Sequence, residues 1–442
     1  MAESDWGVRL RELLAEYGVP GASFAYWHRE RLHAHAAGTL NLATGVQATT
    51  DSLFQIGSIT KVWTTTQIML LVERGLLTVD TPVRDLLPEF QVADPHVTRT
   101  VTVRHLLTHT SGIDGDLFLD TGRGDDCLER YLAACAGLPQ LHPLGTTQSY
   151  VNAGFPILGL IIERLTGRVW DQALREQIIE PLGLTRTCTL PEEALRFRTS
   201  TGHLGDPAVP TPTWGLMRAL GPAGLICASA ADVVAFGRAH LSDVLLTAKS
   251  RGAMRQPQVE LPNRHSLGSH WGLGWILDWW DGRPVLSHAG STIGQNAALW
   301  VVPDLDLVVA VLTNGGHDAA LHHRLATELF AELAGLTVRP ELRPPTEAVR
   351  VDAERYAGVY DRHHVRTTLT AKEQGLHALI EVTSESLAAL SPPLELDLVA
   401  VDEITFVGRA EGSPTWIPFV FYELPDGTPY VHYRARANPR VT

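Results

Sequence analysis

Apolar positions change period along the chain, and the changes mark out its elements. Between residues 4 and 17, Trp6, Leu10, Leu13, Leu14 and Tyr17 recur at near-helical spacing, and Gly18 with Pro20 ends the run. An amphipathic helix is expected there. Two β-rich stretches follow, Ala22–His28 and Leu32–Gly38, separated by the polar pair Arg29-Glu30, which predicts a hairpin. From Ser58 to Arg74 the chain is mostly apolar until Gly75, the pattern of a buried helix. Between 80 and 240, helical stretches alternate with Gly- and Pro-rich loops. Ser229-Ala230-Ala231-Asp232 reads as a capping box opening one helix, with Asp for the usual Glu. Strands return at Trp271–Trp280, Pro284–His288, Ala297–Val302 and Leu307–Thr313, before a helix over about 317–335.

Strands near both ends with helices between them predict one antiparallel sheet built from the two termini and flanked by helices. This is an α+β domain, an α/β sandwich, over residues 1–337. Residues 338–349 carry three prolines and read as a linker. Residues 350–442 hold short β-prone runs separated by turns such as Pro425-Asp426-Gly427, and a separate small β-barrel or sandwich is expected.

Composition narrows the function. The formal charge of −13 argues against a nucleic-acid binder, whose affinity rests on clustered positive charge. With 45% hydrophobic and 19% charged residues, the chain can bury a large core. No apolar run reaches the ~18–20 residues that span a bilayer. The first residues are acidic with no apolar stretch behind them, so no secretory signal is expected and the reading is cytoplasmic. Cys127, Cys135, Cys188 and Cys227 form no C-x-x-C pair, and buried free thiols are expected rather than a Cys127–Cys135 bridge. There is no H-E-x-x-H, so no metal or cofactor is expected, and His322-His323 and His363-His364 read as exposed polar pairs. Arginine outnumbers lysine 33 to 3, which makes each lysine informative.

One lysine follows a serine at a helix start, in Gly57-Ser58-Ile59-Thr60-Lys61. A serine hydroxyl needs an adjacent base to attack, and i and i+3 share a helix face. Burial would lower the Lys61 amine toward a usable base, and the helix N-terminus offers N–H groups to an oxyanion. With 18 serines in the chain, S-x-x-K decides nothing alone. Tyr150-Val151-Asn152 adds a phenol that a nearby cation could help to deprotonate, and an amide for a substrate carbonyl or for Lys61. Ser287-His288-Ala289-Gly290-Ser291 ends a β-run, where a strand edge can donate a second oxyanion N–H. Gly290 there permits close approach of a substrate backbone, and His288 could sense charge or relay protons.

Together, S-x-x-K, Y-x-N about 90 residues on and H-x-G about 140 further on resemble the serine β-lactamase/penicillin-binding-protein superfamily. Supporting strings are Leu106-Leu107-Thr108-His109-Thr110-Ser111-Gly112, Pro222-Ala223-Gly224-Leu225 and Thr313-Asn314-Gly315-Gly316. The resemblance implies Ser58 as acylated nucleophile and Lys61 and Tyr150 sharing the base and acid roles. It implies Asn152 as orienting group and the backbone N–H groups of Ser58 and Ser291 as the oxyanion hole. His288 stands where β-lactamases usually carry lysine, which fits peptidases, esterases and acyl-transferring relatives better than true β-lactamases.

The β-rich domain after a Pro-rich linker is most similar to the penicillin-binding-protein-type thioesterases, stand-alone cyclases of nonribosomal peptide assembly lines. Tyr356-Ala357-Gly358-Val359-Tyr360 resembles the opening of their lipocalin-like domain, and residues 112–130 resemble that group as well. The implied reaction is attack of Ser58 on a peptide held as a thioester on a peptidyl carrier protein, with a C-terminal D-residue. The peptide's own amine then closes a macrolactam. Carrier proteins are acidic, so docking to a chain of charge −13 calls for a local arginine patch. Trp214 and the run Trp271, Trp275, Trp279 and Trp280 could wall an apolar substrate pocket, or could pack the core. The alternative activity is a D-aminopeptidase, D-peptidase or esterase that resolves the same acyl-enzyme with water.

Overall fold

The computed structural model describes residues 5–384 and 392–442. The first helix is Trp6–Tyr17, with the Asp5 carboxylate accepting from Gly7 and Val8 N–H at its start and left-handed Gly18 at its end. The hairpin forms from Gly21–His28 and Arg31–Asn41, and Arg29 and Glu30 both take positive φ at the turn. A nine-stranded sheet then joins the two ends of the domain. The central strand Gly21–His28 pairs with Leu307–Thr313, followed outward by Asn296–Val302 and Arg283–Ser291. The expected strand Trp271–Trp280 is divided into His270–Trp271 and Ile276–Trp280, because left-handed Gly274 turns the chain between them.

One sheet face carries Trp6–Tyr17 and Asp318–Ala334, packed through Leu10, Leu13, Leu325 and Leu329. The other buries the helical layer around Trp63, Phe155 and Phe236. The capping box at Ser229 is only half built. Ser229 Oγ accepts from Asp232 N, but the Asp232 carboxylate turns to Arg186 N and Thr187 Oγ1. All four cysteines are buried and free.

Residues 336–352 form no helix or strand. Among the described residues, eight antiparallel strands between Gly358 and Pro439 follow in simple sequence order. The last lies back against the first through the Tyr360–Arg440 bridge, nearly closing a barrel around Tyr360, Phe406, Phe419 and Phe421. No helix among the described residues is long and apolar enough to cross a membrane.

Candidate active site

The segment around Ser58 departs locally from the sequence expectation. Gly57–Ile59 is a tight 3-10 turn, and the α-helix begins at Thr60 and runs to Glu73. Gly57 has φ +50°, and a side chain there would meet Ser291 N at 2.5 Å, so only glycine fits. Ser58 therefore stands one turn ahead of Lys61. Lys61 is fully buried, and its Nζ lies 3.1 Å from Ser58 Oγ, 3.0 Å from Asn152 Oδ1 and 2.8 Å from Ala223 O. Burial pulls this amine well below its ordinary 10.5, and the charge of Arg436 acts in the same direction. A neutral amine has two N–H groups and one lone pair. Asn152 Oδ1 and Ala223 O can only accept, which leaves the lone pair for the Ser58 hydroxyl proton.

Tyr150 and Asn152 reach the same point from a loop. The Tyr150 ring is stacked on His109 at 4.2 Å, and Trp271 closes on it edge-on at 5.8 Å. His109 has φ +57°, accepts from Val151 N through Nδ1, and receives Ser149 N–H on its backbone oxygen. This gives the Leu-Leu-Thr-His109 string its role: it sets the backbone on which Tyr150 and Asn152 stand. Burial pushes the Tyr150 phenol up, and the neighbouring Ser58 hydroxyl and Arg436 charge offset only part of that. The expectation of an easily deprotonated phenol is therefore corrected, because burial of the ring outweighs the charge and hydroxyl beside it.

The C-terminal barrel completes the site, which the motifs did not foretell. The turn between Pro429–Tyr433 and Arg436–Pro439 holds Arg434 and Ala435 at positive φ and inserts into the groove beside Ser58. Tyr150 N donates to Ala435 O at 2.8 Å. Arg436 donates from Nε to Asp116 Oδ2 at 2.6 Å, and Arg362 donates to the same oxygen at 3.2 Å. Asp116 in turn accepts Asn152 Nδ2 at 2.8 Å, which aims Asn152 Oδ1 at Lys61. Burial pushes the Asp116 carboxyl up, but the two guanidinium groups outweigh it and keep it ionised. A continuous path, Arg436–Asp116–Asn152–Lys61–Ser58, thus runs from one domain into the other.

The third motif closes the site from the sheet. A Cβ built on Gly290 would lie 1.9 Å from Ile56 O and 2.9 Å from Ser58 N, so the strand Arg283–Ser291 and the Ser58 turn are in direct contact. This places the Ser291 backbone beside that of Ser58. Gly290→Ala must push these two backbones apart. A fall of about 10²-fold or more in acylation of Ser58 is expected, measured by covalent labelling rate.

Comparison with known proteins identifies the family and the fold. The family described as Beta-lactamase matches residues 9–333. The chain belongs to the β-lactamase family. Penicillin-binding protein 4 of Amycolatopsis lactamdurans is 47% identical over 370 residues, covering 81% of this chain and 97% of that protein. The crystal structure of SurE superposes with a TM-score of 0.78 at 27% identity over 98% of both chains, barrel included. A D-stereospecific amidohydrolase from a Streptomyces species gives 0.60 at 25% identity over 74% of this chain and 99% of its own.

Within the β-lactamase fold, the groove around Ser58 encloses about 960 Å³. Phe118, Leu216, Met217 and Leu220 line an apolar stretch, and Ser291, Asn296, Asp318 and His322 line a polar one. His288 faces the groove but is buried, and its Nδ1–H donates to Ala289 O at 2.7 Å. Burial and the nearby Lys61 pull its imidazole down to about 3, so it is neutral at physiological pH and senses no charge there. Trp214 does not line the groove. Its indole N donates to Ser200 O at 2.8 Å, and its ring packs in a small cluster with Leu53 and Cys188. Its neighbours Thr213 and Gly215 line the groove instead. Trp271 and Trp275 are core, and Trp279 is exposed. His322 is a further correction, since it is buried against the groove instead of exposed.

Proposed function

We propose that the chain is a serine acyltransferase that releases a carrier-bound peptide as a head-to-tail macrolactam. The observation that carries this is the barrel turn at Arg434–Arg436 forming part of the groove wall around Ser58, which encloses a space able to hold a folded-back peptide. Lys61 takes the Ser58 proton, Ser58 Oγ attacks the thioester carbonyl, and the N–H groups of Ser58 and Ser291 hold the oxyanion. The C–S bond breaks and the thiol leaves with the proton, leaving an ester on Ser58. The peptide's N-terminal amine attacks that ester, the C–O bond breaks, and Ser58 recovers its proton. Holding both ends in one groove raises their effective concentration, and the apolar wall disfavours water. Preference for a D-configured acyl residue draws support from the similarity to the D-stereospecific amidohydrolase and to the structure of SurE with D-Leu, which superposes at 0.76. The reading places the enzyme in the cytoplasm with peptidyl carrier proteins as partners.

The test is incubation of a peptidyl thioester ending in a D-residue with the enzyme and with Ser58→Ala, with ring and linear acid separated by mass spectrometry. Serine-dependent ring formation is expected. Linear acid alone would favour a D-peptidase or esterase, the reading to which the amidohydrolase similarity points.

The electrostatics add a pH prediction. As pH falls Lys61 takes a proton and loses its lone pair, so kcat/KM for acylation falls on the acid side. Arg436 is a cation that disfavours charged Lys61, and Arg436→Met removes it. The acid limb of the Arg436→Met profile is expected at higher pH than in the wild type. An unmoved limb would mean that Lys61 is not the titrating base.

A further inference from the structure

Beyond Ser291, the polar end of the groove, formed by Asn296, Asp318 and His322, takes no part in acylation. Asp318 and His322 lie four residues apart on the helix Asp318–Ala334 and both line the groove, so they share one helix face. Asn296 pairs with Ser291 across the sheet and donates its side-chain amide to Asp318 Oδ2. Asp318 Oδ1 accepts Ala319 N at 2.7 Å. The carboxylate is thereby fixed on the strand adjacent to the oxyanion strand, and neighbouring strands lie about 4.8 Å apart.

The bonding of His322 determines its tautomer. The Thr313 hydroxyl donates its only proton to Asn296 O at 3.2 Å. At 3.0 Å from His322 Nε2 it can then only accept, so the imidazole proton is on Nε2. His322 Nδ1 is left as a bare acceptor, and it makes no hydrogen bond among the described residues. Burial holds the imidazole down at about 4, and it raises the Asp318 carboxyl only to about 6. At neutral pH this end of the groove therefore offers one negative charge, two acceptors and a neutral ring. Such a set repels carboxylates and phosphates and suits a group with several N–H donors.

We propose that Asp318 and His322 form an acceptor subsite that binds the primary amine about to attack the Ser58 ester, one N–H to the carboxylate and one to Nδ1. The role in ring closure rests on the acyl-transfer reading; the binding itself does not. The subsite also gives a reason for the neutral His288 in this family member: both polar groups select against an anionic substrate end.

Two measurements test it. First, Ser58→Ala, which cannot be acylated, is titrated with D-alanine amide and with its N-acetylated form by calorimetry or NMR. The free amine is expected to bind and the acetylated form not to, and adding Asp318→Asn weakens binding roughly 10- to 100-fold. Second, the Ser58 enzyme is given an acyl-D-alanine thioester too short to cyclise, with D-alanine amide as acceptor. The ratio of amide to acid product, which does not depend on how much enzyme is folded, is expected to fall by roughly the same factor in Asp318→Asn and to recover in part in Asp318→Glu. Equal amine binding and an equal product ratio with and without Asp318 would overturn the subsite. Asp318-dependent amine binding without any thioester turnover would overturn the acyltransferase reading and leave the subsite standing.

Discussion

Lys61→Met lowers the rate of Ser58 acylation by about 10²–10⁴-fold, the range lost with a general base. Methionine fills the space of the lysine stem without the amine, so packing beside Tyr150 and Phe155 is preserved. The change leaves Ala223 O and Asn152 Oδ1 without a donor but removes the cost of burying an amine, two effects of opposite sign. The catalytic loss therefore far exceeds any loss of stability. Lys61→Arg is the companion variant: it keeps a donor but cannot act as a base, because guanidinium stays protonated. Both are expected to be slow. The measurement is covalent labelling of Ser58 beside thermal unfolding of the same samples. Rapid labelling of Lys61→Met would move the base role to Tyr150, in spite of the upward push on its phenol.

Asp116→Asn has the largest expected effect on stability. Its carboxylate is the shared partner of Arg436 and Arg362, and all three side chains are mostly buried. Removing the charge strands two guanidinium groups in the domain interface, which costs about 3–5 kcal/mol. The loss is expected as a lower denaturation midpoint, together with faster proteolysis in the contact between barrel and catalytic domain. Activity falls with it, because Asn152 loses the carboxylate that aims it at Lys61. Adding Arg436→Met removes one stranded cation and recovers part of the stability, so the double-mutant cycle reads the coupling directly. Additive losses would mean that the ion pair does not join the domains.

The difference between Lys61 and Arg436 explains how much of this site was readable. Ser58 and Lys61 are three residues apart, so local helix geometry alone brings them together. Tyr150, Asn152, His288 and Gly290 were singled out by their chemistry and given weight only by the resemblance, and each lies at the groove. Asp116 lay inside a segment already noted for resemblance, but an aspartate in a loop has no role until its partners arrive. Arg434-Ala435 carries none of the usual signals of a left-handed turn, such as Asn-Gly, so the loop that enters the groove went unseen. Trp214 failed as a substrate contact because a side chain's direction depends on its neighbours; its indole turned toward Ser200 instead.

The sequence by itself determined the order of elements, the sheet built from both ends, the all-β character of the C-terminal domain and the serine–lysine pair. These follow from periodicity, turn residues and short spacing, which act within a few residues. Only the tertiary structure decided the chemical state of the pair and the extent of the site. The burial that lowers the Lys61 amine and the charge of Arg436, 375 positions farther along the chain, are sums over contacts between distant segments. Such sums exist only once the barrel is packed against the catalytic domain.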